Sequence, residues 1–202
     1  MKRRHFLPLF ALGLALLAAC GQDGFKDTDI TGVEYARDFH LTDQNGKPRS
    51  LADFKGRVVS IFFGYTQCPD VCPTTMAEMH TVLQQLGPTD AARVQVLFIT
   101  VDPERDTQAL LTQYVPAFDP TFIGLRGDPD TTAKTAKDFK VFYEKVPGKT
   151  PGTYSMNHTA GSYVYDPQGR LRLFVQHTGP SDDAKVAIER QVHDIKLLLA
   201  GK

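Results

Sequence analysis

The 202-residue chain has no tryptophan, only three cysteines and no excess charge of either sign, with Lys plus Arg and Asp plus Glu at 23 each. No basic run follows Arg4, so the electrostatic footprint that would attract nucleic acid or an anionic membrane face is missing. There is no internal repeat and no low-complexity tract, and the ordinary hydrophobic content of 42% argues against disorder or collagen-like repetition. An uninterrupted apolar run of the roughly 20 residues needed to span a bilayer is also absent. What remains is the composition of one well-packed domain of about 180 residues behind an unusual N-terminus.

That N-terminus combines a charged stretch, Lys2-Arg3-Arg4, with an apolar stretch from Phe6 to Ala19 interrupted only by Pro8 and Gly13. Such a pattern is an export signal, too short to persist as a membrane helix. Leu17-Ala18-Ala19-Cys20 resembles the lipobox of bacterial lipoproteins, in which the cysteine thiol is diacylated and becomes the first residue of the mature chain. Two acyl chains anchor stably where one is marginal. Gly21 to Asp29 is small and polar, as a tether would be. The expected division is a signal peptide over 1–19, a lipidated tether over 20–32 and a folded domain over 33–202, placed in the cell envelope on the extracytoplasmic side. Gly21 stands where the enterobacterial inner-membrane retention signal has Asp, which leaves the choice of membrane open.

With Cys20 assigned to lipid, Cys68 and Cys72 are left in the domain. A disulfide across three intervening residues restrains the unfolded chain little, so the pair suits chemistry better than stapling. The surrounding pattern locates it. Asp38 to Arg49 is expected as a hairpin turning at Asp43-Gln44-Asn45-Gly46. Val58 to Phe63 is a buried strand, and Thr75 to Leu86 a helix stopped by Gly87-Pro88. Val94 to Val101 is a second buried strand, followed by a helix over Thr107 to Phe118, a short strand over Phe122 to Leu125 and a helix over Thr131 to Phe139. Val141 to Glu144 is extended, and the segment 147–152 is a loop. A second hairpin turns at Asp166-Pro167-Gln168-Gly169, and a closing helix runs from Ser181, its expected N-cap, to Ala200. This order predicts an α/β domain with a central mixed sheet, an N-terminal hairpin and flanking helices. Cysteines where the first buried strand meets its helix match the thioredoxin arrangement.

Pro69 suits a first helical position, which puts Cys68 near the N-cap, where the helix dipole favours a thiolate. If the turn is helical, Cys72 shares a face with Cys68, so the two sulfurs can reach one ion or close a disulfide. Two soft thiolates select Cu(I), zinc or iron–sulfur chemistry, and an added imidazole fits copper in either oxidation state or zinc. Five histidines follow the signal. His80 and His193 fall within helices as surface or packing residues, and His40 and His177 have no special partner in the sequence pattern. His158 lies in a loop just before a strand, where proteins of thioredoxin fold present a residue to the cysteine motif, usually beside a cis-proline. Asp70 is expected as a helix-start acid. Asp102, Glu104, Arg105 and Asp106 form either a salt-bridged loop or an edge for docking a partner.

The run YTQCPDVCP, the segment Val101 to Thr107 (VDPERDT) and the segment Tyr154 to Thr159 (YSMNHT) together resemble the Sco/SenC family of copper chaperones, over about residues 33 to 200. The resemblance implies that Cys68, Cys72 and His158 bind one copper ion, Cu(I) or Cu(II). It also implies the partner, subunit II of cytochrome c oxidase, whose dinuclear copper site the family supplies with copper or keeps reduced, with other periplasmic copper carriers or thiol reductants alongside. Two residues depart from the family pattern: Gln67 replaces the usual His, and Asn157 replaces a frequent Asp before the ligand histidine, removing a nearby negative charge. Two functions fit: a metallochaperone, or a thiol-disulfide reductase using Cys68 and Cys72 as its redox pair. A peroxidase of the peroxiredoxin kind is suggested by fold alone.

Overall fold

Two largely apolar runs, Val58–Gly64 and Val94–Thr100, are buried along their whole length in a computed structural model that describes residues 24–177 and 183–202. Burial on both faces is the signature of central parallel strands, and these two pair in parallel from Val58 opposite Val94 to Gly64 opposite Thr100. In chain order the strands are β1 (Thr28–Asp29), β2 (Leu41–Asp43), β3 (Pro48–Arg49), β4 (Val58–Gly64), β5 (Val94–Thr100), β6 (Ile123–Arg126), β7 (Tyr143–Pro147), β8 (Tyr154–His158), β9 (Gly161–Tyr165) and β10 (Leu171–Gln176). Eight of them form one mixed sheet in the order β1-β10-β9-β4-β5-β6-β2-β3, while β7 and β8 pair only with each other. The helices are α1 (Val71–Ala91), α2 (Gln108–Tyr114), α3 (Pro129–Asp138) and α4 (Ala184–Leu199). This is the thioredoxin-like α/β architecture expected, with its mixed central sheet and flanking helices.

Helix α1 buries Cys72, Met76, Met79, Val82, Leu83 and Leu86, the stripe that a 3.6-residue period produces. It breaks where expected, at Gly87 with φ of 78°, but Pro88 opens one more turn to Ala91. Asp128 caps α3 by accepting from the Thr131 N–H, and Thr107 caps α2 by accepting from Leu110. After Tyr114 the chain tightens into a 3₁₀ turn over Val115–Ala117 at Pro116, so the single helix expected to Phe118 is two pieces.

Three expectations need correction. The stretch expected as a tether is partly built into the domain. The Asp194 carboxylate accepts from the Lys26 and Asp27 N–H groups, and Thr28 and Asp29 form an edge strand on β10. His158 closes a strand, β8, which the mixed polarity of Tyr154-Ser155-Met156-Asn157-His158 conceals, and the described residues contain no cis peptide. Finally, α1 starts at Val71, two residues after Pro69. The signal peptide, Cys20 and Ser181 lie outside the described residues. Among the described residues no helix is long and apolar enough to cross a membrane.

Candidate metal centre

The cysteine loop leaves β4 at Gly64, whose carbonyl accepts from Val101 N–H at 2.8 Å. A turn follows, closed by Cys68 N–H on the Tyr65 carbonyl, and Thr66 is tied to Asp106 through both its N–H (3.1 Å) and its hydroxyl (2.5 Å). This tied turn delays the helix, so Cys68 is not its N-cap; Asp70 is, as the helix-start acid, without a side-chain capping bond. The sulfurs therefore do not meet along one helical face. They meet because the loop curls Cys68 back over the first helical turn, where the N–H groups of Asp70 and Cys72 point at its sulfur.

Cys72 is fully buried and Cys68 half-buried, and both are free thiols. Their protons are unequally held. A hydrogen bond from Cys72, with further ones from His158 and the two backbone N–H groups, outweighs burial and brings the Cys68 thiol down to about 4. The Cys72 thiol is pushed up by donating to Cys68 and by burial. The more exposed sulfur is thus the one favoured as a thiolate, and the buried one the one favoured as a thiol.

His158 completes the cluster: its Nε2 lies 3.5 Å from Cys72 Sγ, and the ligand atoms of Cys68, Cys72 and His158 all fall within 4.8 Å of one another. Its Nδ1–H donates to the Thr159 carbonyl at 3.0 Å, which fixes the ring with Nε2 toward the sulfurs. Edge-to-face contacts with Phe62 at 6.0 Å and Tyr65 at 5.9 Å hold the ring upright. With bonds of roughly 2.0–2.3 Å to nitrogen and sulfur, one ion fits among donors at these separations. An open groove of about 470 Å³ runs past Cys68, Asp70, Asn157, His158 and His177, so the cluster is reachable from outside.

His177 is the residue that sequence reasoning missed. It is buried, its Nε2 lies 2.8 Å from Ser162 Oγ, and its ring meets the Phe62 ring edge-on at 5.5 Å, on a ring that also contacts His158. Burial, reinforced by Arg190, lowers its pKa to about 4. Only the fold could reveal this, since β10 pairs with β9, which in turn pairs with β4, the strand that carries Phe62. The other histidines lie elsewhere: His80 pairs with Asp119 and Gln84, His193 with Asp194, and the exposed His40 with Asp38. Asn157 does not support the ligand ring. Its amide crosses to Glu144 at 3.2 Å, because neighbouring residues of a strand point to opposite faces. Gln67 accepts from Arg105 Nη1 at 3.2 Å. The 102–106 segment is the salt-bridged loop, pairing Arg105 with Asp102 and Glu104 with Lys145.

A family model described as SCO1/SenC matches residues 28–193. The chain is 37% identical over 153 residues to a mouse protein named Protein SCO2 homolog, mitochondrial, covering 75% of this chain and 59% of that relative. It spans about three-fifths of the length of this and a bovine relative of the same name. Among solved structures, ScoI of Bradyrhizobium japonicum with copper bound is 44% identical, covering 80% of this chain and 98% of that one with a TM-score of 0.68. The apo Sco1 protein of Thermus thermophilus is 39% identical, covering 89% of this chain and 99% of that one with a TM-score of 0.74. Because the matched region takes in both cysteines, the 102–106 loop and the histidine strand on one shared fold, the chain belongs to the SCO1/SenC family.

Proposed function

We propose that this chain is a copper metallochaperone of the cell envelope. It takes one copper ion, Cu(I) or Cu(II), on Cys68, Cys72 and His158 and uses it to load or mature the dinuclear copper site of cytochrome c oxidase subunit II. The observation that carries this reading is the convergence of two sulfurs and an imidazole nitrogen within 4.8 Å of one another. Two soft sulfurs favour Cu(I), and the imidazole makes the set acceptable to Cu(II) as well. Copper is cargo here. Cys68 sits beside the open groove, so an incoming ligand can displace it first and copper can pass by stepwise exchange. Lipid on Cys20 would hold the domain at a bacterial membrane.

Copper titration of the pre-reduced domain, wild type against His158→Ala, tests the assignment. Loss of Cu(II) binding and weakened Cu(I) binding are expected in the variant, because the two remaining sulfurs suit Cu(I) better than Cu(II). Unchanged binding of both ions would overturn the three-ligand site.

The unequal protons favour a second reading, thiol-disulfide reduction. The Cys68 thiolate would attack an acceptor disulfide, forming a mixed disulfide and releasing one acceptor thiolate. Cys72 then displaces the second acceptor thiol, leaving a Cys68–Cys72 disulfide and an acceptor reduced by two electrons. Absence of exchange with oxidised subunit II would dismiss this reading.

A further inference from the structure

The ligand histidine and the ligand cysteines stand on separate sheets. β7 and β8 pair with each other and not with the eight-stranded sheet that carries the cysteine loop. At its C-terminal end β8 is joined to β9 of the large sheet through Thr159 and Ala160, so the backbone anchors His158 from one side, and the rest of β8 is held over the cysteine loop by side chains that cross from one sheet to the other.

One side chain, Arg105, links the start of β8 to both the cysteine loop and the loop after β5. Arg105 follows β5 in the loop that also ties down Thr66 through Asp106. Its Nε donates to Asp102 Oδ2, and Asp102 is itself buried, with its N–H on Thr100 Oγ1. Its Nη1 donates to the Tyr154 carbonyl at 2.8 Å, at the start of β8, and to Gln67 Oε1 at 3.2 Å, next to Cys68. The guanidinium plane lies over the Tyr154 ring at 3.6 Å and within 5.7 Å of the Tyr65 ring, the ring that abuts His158. The Tyr154 hydroxyl returns to Asp102 Oδ1 at 2.9 Å. The remaining nitrogen, Nη2, is buried without a partner, so no acceptor draws the fork away. The other charged link between the two parts, Lys145 to Glu104, is half exposed, and such pairs hold weakly.

We propose that Arg105 is the positioning residue for His158, a keystone that fixes the histidine strand over the dithiol. It does not touch the sulfurs or the imidazole; it acts through Tyr154 and Tyr65. A planar fork that places donors on separate nitrogens while stacking on an aromatic face is what the place requires, whereas a lysine carries its donors on one tetrahedral nitrogen and has no plane to stack. The metal-dependent part of this inference rests on the copper reading.

The test compares Arg105→Met, Arg105→Lys and Tyr154→Phe with wild type. In the metal-free reduced domain, amide hydrogen exchange over Tyr154–His158 is expected to quicken in both Arg105 variants, and less so in Tyr154→Phe, while exchange in β4 and β5 stays unchanged. Cu(I) affinity is expected to fall about 10- to 100-fold in Arg105→Met, with no rescue in Arg105→Lys. In a His158→Ala background the same Arg105→Met change should cost no further affinity. Unchanged exchange over 154–158, restoration by Lys, or an undiminished loss in the His158→Ala background would each overturn the proposal. If Arg105→Met does not fold, Arg105→Lys and Tyr154→Phe decide the matter on the same readouts. If the wild-type domain bound no copper, the copper reading would fall while the exchange measurement still judged the keystone.

Discussion

A β-carbon on Gly64 would stand 2.9 Å from the Cys72 sulfur. It would also meet the Phe98 ring at 2.8 Å and the Phe62 ring at 2.9 Å. All three neighbours are buried, so none can swing aside into solvent. The glycine at the end of β4 is thus what lets the ligand sulfur pack against the strand.

Gly64→Ala should therefore damage both the fold and the metal centre. Overpacking a closed site costs about 1–3 kcal/mol, and here the strain falls on Cys72. Urea denaturation should show the loss of stability, and a competition titration of the reduced domain should show weakened Cu(I) binding. Wild-type behaviour in both would mean that the strand end yields freely.

The two thiols should react unequally. In the metal-free reduced domain iodoacetamide should label Cys68, half-buried and held as a thiolate, roughly tenfold or more faster than the fully buried Cys72. Peptide mapping by mass spectrometry after a short pulse checks this, and denaturant should equalise the two. Faster labelling of Cys72 would reverse the assignment of the charge.

His177 should impose an acid limit on stability. Its pKa is about 4 in the fold and about 6.5 when unfolded, so between these values the unfolded chain binds more protons. The stabilising difference is fully present above pH 6.5 and is lost as the pH falls towards 4, by up to about 1.4 kcal/mol per pH unit. Urea midpoints at pH 7, 5.5 and 4.5 should reveal this slope. His177→Gln, which retains a partner for Ser162, should flatten it; an unchanged slope would place the titrating group elsewhere.

Much of this architecture was legible in the order of residues. Val58 to Gly64 and Val94 to Thr100 are predominantly apolar because both faces are covered, with Ser60, Gln95 and Thr100 the polar exceptions. Gly87, Asp128 and Thr107 mark helix boundaries by backbone freedom and side-chain capping, which act within a few residues. The β8 strand was not legible, since its residues alternate without a clear apolar face. Nor was the docking of Lys26 and Asp27 on Asp194, whose partners lie more than 160 residues apart.

The metal centre divides along the same line. Residue identity alone supplied the donors, because sulfur and imidazole carry their coordination chemistry wherever they stand, and a short spacing held Cys68 and Cys72 within reach of one ion. The hydrogen bond to Cys68 and the burial that push the Cys72 thiol up, and the turn that lifts Cys68 off the helix, arose only when β4, β5 and the 102–106 loop came together. The same is true of the alignment of His158 across a gap between two sheets and of the buried His177 beside Phe62. Local preferences act over a few bonds, whereas desolvation and the meeting of distant side chains exist only in the folded chain.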